Sequence, residues 1–88
     1  MRLDLFLKKS YVVAQRSVAK TICDAGAAHV NGAVAKASHE VRPGDEVRLD
    51  LARRHLEFRV VDLPQGNVSK RDAARYLEIL RDEPRQPL

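Results

Sequence analysis

Tryptophan is absent from this chain, and cysteine occurs once in 88 residues, as Cys23. A lone thiol has no internal partner for a disulfide, so nothing here calls for an oxidising compartment. No apolar run approaches the roughly eighteen residues that a membrane span requires. The opening Met1-Arg2-Leu3-Asp4-Leu5-Phe6-Leu7-Lys8-Lys9 looks only briefly like a secretory leader. Asp4 breaks its apolar stretch, Lys8 and Lys9 stop it, and no small-residue cleavage site follows. A cytoplasmic protein with no membrane partner is expected. Aromatic residues are also scarce: Phe6, Tyr11, Phe58 and Tyr76 are the whole set. Phe6, Phe58 and Tyr76 lie on apolar stripes, which leaves Tyr11 as the one candidate for stacking on an unpaired base. A stacking platform is not expected.

The residues that carry catalysis are equally thin. His29, His39 and His55 stand far apart in the chain, with no Cys or His partner at metal-ligand spacing. They read as surface or turn residues. Cys23 falls on the inner face of a helix, where a thiol behaves as a small hydrophobe, and no base is positioned to activate it. Asp45 and Glu46 are neighbours in a turn rather than a separated acid–base pair. The glycines at 26, 32, 44 and 66 belong to four separate turns, so no glycine-rich loop cradles a phosphate. No catalytic residue, metal, cofactor or small-molecule substrate is expected.

What is present is a folded chain with localised charge. An apolar fraction of 44% suits one small domain with a single core. The net charge of +4 is modest, but Met1 to Ile22 holds Arg2, Lys8, Lys9, Arg16 and Lys20 against Asp4 alone. That segment accounts for the entire excess. A concentrated positive field attracts phosphates more effectively than a dispersed one.

Leu3, Phe6, Leu7 and Tyr11 share one face of a helix over roughly residues 3 to 11. Ser17 has N-cap chemistry for a second helix, whose apolar face is Val18, Ala19, Ile22 and Cys23 and whose terminator is Gly26. Asn31-Gly32 is a strong hairpin signal, and Pro43-Gly44-Asp45 marks a second turn. Val47, Leu49 and Leu51, then Leu56, Phe58 and Val60, alternate as half-buried strands. Ser69 to Asp72 resembles a capping box ahead of a third helical stripe, Ala73, Tyr76, Leu77 and Leu80, with Ile79 beside it. The expected fold is α+β: a two-helix basic unit packed on a small, mainly antiparallel sheet, with one C-terminal helix. Residues 1–63 form the domain, 64–83 a helical extension and 84–88 a disordered polar tail.

A rigid scaffold presenting Arg and Lys at fixed separations is what recognition of structured RNA requires. Arg2 and Lys9 come from the first helix. Arg16 opens the second, and Lys20, four residues on, shares its face. The same helix end directs unpaired amides outward, which suits a phosphate. The two arginines are expected to be held apart by packed Leu and Ile. A solvated basic face serving solubility alone is the bland alternative.

These residues resemble a known family. Arg2-Leu3-Asp4, Arg16-Ser17-Val18-Ala19-Lys20, Gly26, Val30-Asn31-Gly32 and Val41-Arg42-Pro43-Gly44-Asp45-Glu46-Val47 are similar to the S-four RNA-binding domain, named after ribosomal small-subunit protein four. The match runs from about residue 1 to 51. A free-standing domain is expected, and as such it resembles most closely the RqcP family of ribosome-associated quality-control factors. Next comes the heat-shock protein fifteen family, whose tryptophan and longer basic extension this chain lacks.

The resemblance implies binding to large-subunit rRNA and peptidyl-tRNA, and support of alanine tailing beside an RqcH-type partner. It places Arg2 and Arg16 at the RNA, with Lys9 and Lys20 as supporting contacts, Lys8 beside them, and Lys36, Asn31 and Gly32 on the hairpin side. The family tends to be basic where this chain has Leu5, Tyr11, Ala14 and Gln15, so its positive surface is thinner. Alternatives are a heat-shock-type recycling factor, an adapter that binds protein through the Val47–Val60 sheet, and a subunit separated from its catalytic domain.

Overall fold

In a computed structural model that describes residues 1–85, the spacing of Leu3, Phe6 and Leu7 yields a short helix, α1 (Leu3–Lys9). It ends two residues before its apolar stripe predicts. The Ser10 amide and hydroxyl both donate to the Phe6 carbonyl, at 2.9 and 2.8 Å, and close the last turn. Tyr11 follows in the left-handed region, φ 62°, and stands outside the helix and half-exposed. The second helix, α2 (Arg16–Asp24), starts two residues earlier than a Ser17 cap would place it, and Ser17 is not its cap. Gln15 takes the extended backbone of an N-cap, Ser17 is already helical, and no side chain caps the helix. Gly26, at φ 74°, terminates it as expected.

The remaining chain forms one antiparallel sheet in the order β2-β1-β3-β4-β5. Its strands are β1 (Ala28–Val30), β2 (Ala33–Val34), β3 (Glu46–Asp50), β4 (Arg54–Val60) and β5 (Leu77–Pro84). Asn31 and Gly32, at φ 51° and 86°, supply the two positive dihedrals of a tight β1–β2 turn. The Asn31 amide then ties this turn to the next one. Its Nδ2 donates to Asp45 Oδ1 at 3.1 Å, and its Oδ1 accepts from the Glu46 amide at 2.9 Å.

Alternation along β3 and β4 turns Val47, Leu49, Leu56, Phe58 and Val60 toward the helices, where all are buried. Phe6 of α1 stacks on Phe58 with ring centroids 6.0 Å apart. Cys23 is buried in the same core, and desolvation pushes its thiol pKa up, so the residue is apolar filling there. Among the described residues no helix is long and apolar enough to cross a membrane.

The C-terminal helix is the main departure. The Ser69–Asp72 contacts do form, with Ser69 Oγ donating to Asp72 Oδ2 at 3.1 Å and accepting from the Asp72 amide at 3.3 Å. They open only a single 3-10 turn, Ala73–Arg75. Leu77 and Ile79 instead lie opposite Val60 and Phe58 as β5 pairs along the length of β4. Apolar residues at 77 and 79 fit a period of two as well as a helix. The exposed edge of β4 settles the choice, because pairing satisfies a whole row of backbone groups. One residue, Leu80, is left over as a bulge. Pro84, assigned by sequence to a polar tail, ends this edge strand, where a missing amide costs little. Residues 86–88 of that tail lie outside the described residues.

Candidate nucleic-acid interface

The first turn of α1 is built against a distant piece of chain. The Leu3 and Asp4 amides donate to the carbonyls of His39 and Ala37, at 2.8 and 3.1 Å, and the Val41 amide returns to the Met1 carbonyl at 2.9 Å. The terminal ammonium reaches Glu40 at 2.7 Å. The amides that a helix N-terminus ordinarily leaves to water are therefore used to fix its position. Arg2, the N-cap, is held at the surface by this docking.

Between Arg2 and Arg16 stands Asp4, whose side chain is 4% exposed. Arg2 donates to it through Nε at 3.2 Å and Nη2 at 3.3 Å. Arg16 reaches the same carboxylate through Nε at 3.2 Å and Nη2 at 3.5 Å. The Leu5 amide adds a bond of 2.8 Å. Burial by itself would push the Asp4 pKa up; the hydrogen bonds from Arg16, Arg2 and Leu5 outweigh it and hold the carboxyl below its ordinary 3.8. Both arginine side chains stay 46% exposed. The expected separation of the two arginines by packed Leu and Ile is thus replaced by convergence on one acid. Two fixed forks, each with donors to spare, face solvent from adjoining helices. Such a pair matches phosphate geometry.

The lysines divide around this clamp. Lys20 is exposed one turn beyond Arg16 on α2, and Lys8 is exposed one turn beyond Asp4 on α1. Lys36 is exposed beside Ala37, the residue whose carbonyl docks α1, and so belongs to the same end of the molecule. Lys9 is not part of the group: its Nζ donates to the Gly66 carbonyl at 2.6 Å. Asn31 and Gly32 are occupied by the β1–β2 turn.

The sheet contrasts with the helices. Arg48, Arg54, Arg59 and Arg81 are each paired, with Asp50 at 3.3 Å, Asp82 at 2.7 Å, Glu78 at 3.0 Å and Glu83 at 2.9 Å. His55 Nδ1 also lies 3.0 Å from Asp50. The positive field of the sheet is largely cancelled and that of the helices is not.

Sequence reading did not assign a role to Asp4. The available signal was the position of the only acid in a basic segment, flanked by Leu3 and Leu5, where an unpaired carboxylate would be costly.

A basic two-helix unit fixed on a small antiparallel sheet defines a class, and residues 1–47 match the family model described as the S4 domain. Full-length relatives refine this. The chain is 39% identical over 83 residues to the Bacillus subtilis protein named RQC P-site tRNA stabilizing factor, covering 94% of this chain and 95% of that one. The Streptococcus pneumoniae protein of the same name is 35% identical, at 93% and 92% coverage. Among solved structures, a hypothetical protein studied in solution superposes with a TM-score of 0.79 at 34% identity, over 94% of this chain and all of the other. Vibrio cholerae Heat Shock Protein 15 superposes with a TM-score of 0.82, over 90% of this chain and 80% of that chain; at 23% identity it speaks for the fold alone. The chain belongs to the S4-domain family, in the group of small relatives that carry the name RQC P-site tRNA stabilizing factor.

Proposed function

We propose that this protein is a non-catalytic RNA-binding factor of ribosome-associated quality control, acting in the cytoplasm on large ribosomal subunits that retain a peptidyl-tRNA. The observation that carries the reading is the convergence of Arg2 and Arg16 on buried Asp4. A carboxylate shared in this way sets the spacing of two phosphate-binding forks before RNA arrives, so less order has to be imposed on binding. Lys20, Lys8 and Lys36 extend the surface, and the names of the relatives supply the biological setting. Arg2 and Arg16 contact rRNA and the tRNA backbone. By steadying the tRNA the factor supports addition of a C-terminal alanine tail to the stalled chain, beside an RqcH-type protein.

The test is co-sedimentation with purified large subunits carrying peptidyl-tRNA. Arg2→Ala and Arg16→Ala should each weaken binding by about tenfold or more, as expected for loss of a charge-assisted contact of roughly 1.5–3 kcal/mol. Both variants should remain folded and lose no more than about 1–2 kcal/mol, since neither side chain fills the core and Asp4 keeps its other arginine and the Leu5 amide. Wild-type binding by both would end the assignment.

A further inference from the structure

Tyr11 occupies the position after the C-cap of α1, where a left-handed backbone is most cheaply supplied by glycine. A bulky side chain at φ 62° stores strain on the order of 1–2 kcal/mol. Strain of this kind persists where the surroundings enforce it, and here they do. The Tyr11 hydroxyl donates to the Val68 carbonyl at 2.8 Å, and Lys9 Nζ fixes the same segment through Gly66 at 2.6 Å. The ring is anchored at its polar tip and remains 47% exposed. It forms part of a groove of about 300 Å³, lined by Lys8, Lys9, Tyr11 and Ala14 on one side and Gly66, Asn67 and Val68 on the other. That volume is at the small end of the range for ligand sites.

Charge identifies the occupant. Other grooves on the surface carry acids, Glu46 and Glu57 in one and Glu40 and Asp45 in another. No carboxylate lines this one, and two lysines do. It also adjoins the arginine clamp: Lys8 follows Asp4 by four residues, placing their Cβ atoms about 5–6 Å apart along α1.

Resting on the RNA-binding reading above, we infer that this groove receives one unpaired nucleotide of the bound RNA. Its base stacks on Tyr11 and its phosphate is met by Lys8. Ala14, a side chain of one methyl group, and Asn67, whose amide can pair with a base edge, complete the lining. The RNA that the arginines hold by its backbone is thereby gripped at a second point.

The probe is the large subunit carrying peptidyl-tRNA, with chemical footprinting of unpaired nucleotides. Tyr11→Phe keeps the ring; Tyr11→Asn removes it while placing at φ 62° a residue that tolerates that conformation, so the variant folds. Wild type and Tyr11→Phe should protect the same unpaired base. Tyr11→Asn should lose that protection and bind about five- to one-hundredfold more weakly, with the rest of the footprint intact. Lys8→Ala should weaken binding and keep the base protected. The inference is overturned if Tyr11→Asn protects and binds as wild type does. It is equally overturned if that variant binds weakly with no nucleotide changing its protection, since the occupant would then be protein. If Arg16→Ala binds normally while Tyr11→Asn does not, the arginine assignment fails and the groove stands. A wild-type protein that leaves no footprint on RNA removes both.

Discussion

A carboxylate taken out of water between two guanidiniums that remain half in water can add stability, fix geometry, or do both. The balance at Asp4 is measurable, because Asp4→Asn keeps the shape of the side chain and removes its charge. With both partners screened by solvent, the stability lost should be about 1–2 kcal/mol, below the range for a fully buried pair. Binding to large subunits should fall further than stability does, since the two forks lose their common anchor while the domain stays folded. Urea unfolding beside co-sedimentation of the same variant checks this. Equal losses in both would make Asp4 a structural residue only.

The same carboxyl gives a pH dependence whose sign is fixed. Its pKa in the folded state lies below the ordinary 3.8, so the folded protein holds the proton less tightly than the unfolded chain. The stabilisation it provides is complete above the unfolded value and disappears as pH falls through the folded one. Wild type should therefore lose its advantage over Asp4→Asn when urea unfolding is repeated below pH 3.8. Comparison with the variant is needed because Glu40, Asp82 and Glu83 are also held low by cationic partners at the surface.

At the scale of elements, how far the sequence could be read depended on whether a local rule decided the outcome. Asn31-Gly32, Gly26 and Pro43-Gly44-Asp45 announced turns that formed where expected, because positive dihedrals are decided within one or two residues. The alternation of Val47 to Leu49 and Leu56 to Val60 announced two strands for the same reason. The helix expected after Ser69 failed because its competitor was not local. Leu77 and Ile79 fit either period, and the edge of β4 that claimed them is contributed by residues about twenty positions earlier. Basic residues were legible as residues, but the clamp that joins Arg2 to Arg16 spans two helices and could not be seen from spacing. Tyr11 was placed on the α1 stripe because nothing in its type forecasts a left-handed backbone.

The Phe6–Phe58 stack is the joint between α1 and the sheet, so it transmits stability to the clamp. Phe58→Ala should cost about 3–5 kcal/mol by leaving a cavity under α1. A domain of this size has little stability beyond that to lose. Calorimetry should show a sharply lowered midpoint. Binding measured at low temperature, where any folded fraction is largest, should fall in proportion to the folded population.

Across the whole molecule, the partition of charge separates binding from solubility. The sheet's arginines are engaged with acids of their own or a neighbouring strand, and the helices carry the uncompensated excess. If the helices meet phosphates, counterions must be released, and log affinity falls linearly with log salt by roughly 0.7–0.9 per phosphate engaged. Removing one guanidinium from the interface should reduce that slope by about 1. Arg16→Ala should therefore bind more weakly and respond less steeply to salt. Arg59→Ala supplies the comparison. Its side chain bridges Glu46 and Glu78 on the sheet, at 3.9 and 3.0 Å, and it removes the same formal charge. If only net charge mattered, the two variants would shift the salt line alike. If position matters, the Arg59→Ala slope should overlay the wild type while that of Arg16→Ala does not, in co-sedimentation with large subunits between 50 and 200 mM salt, the span over which phosphate contacts are most plainly read.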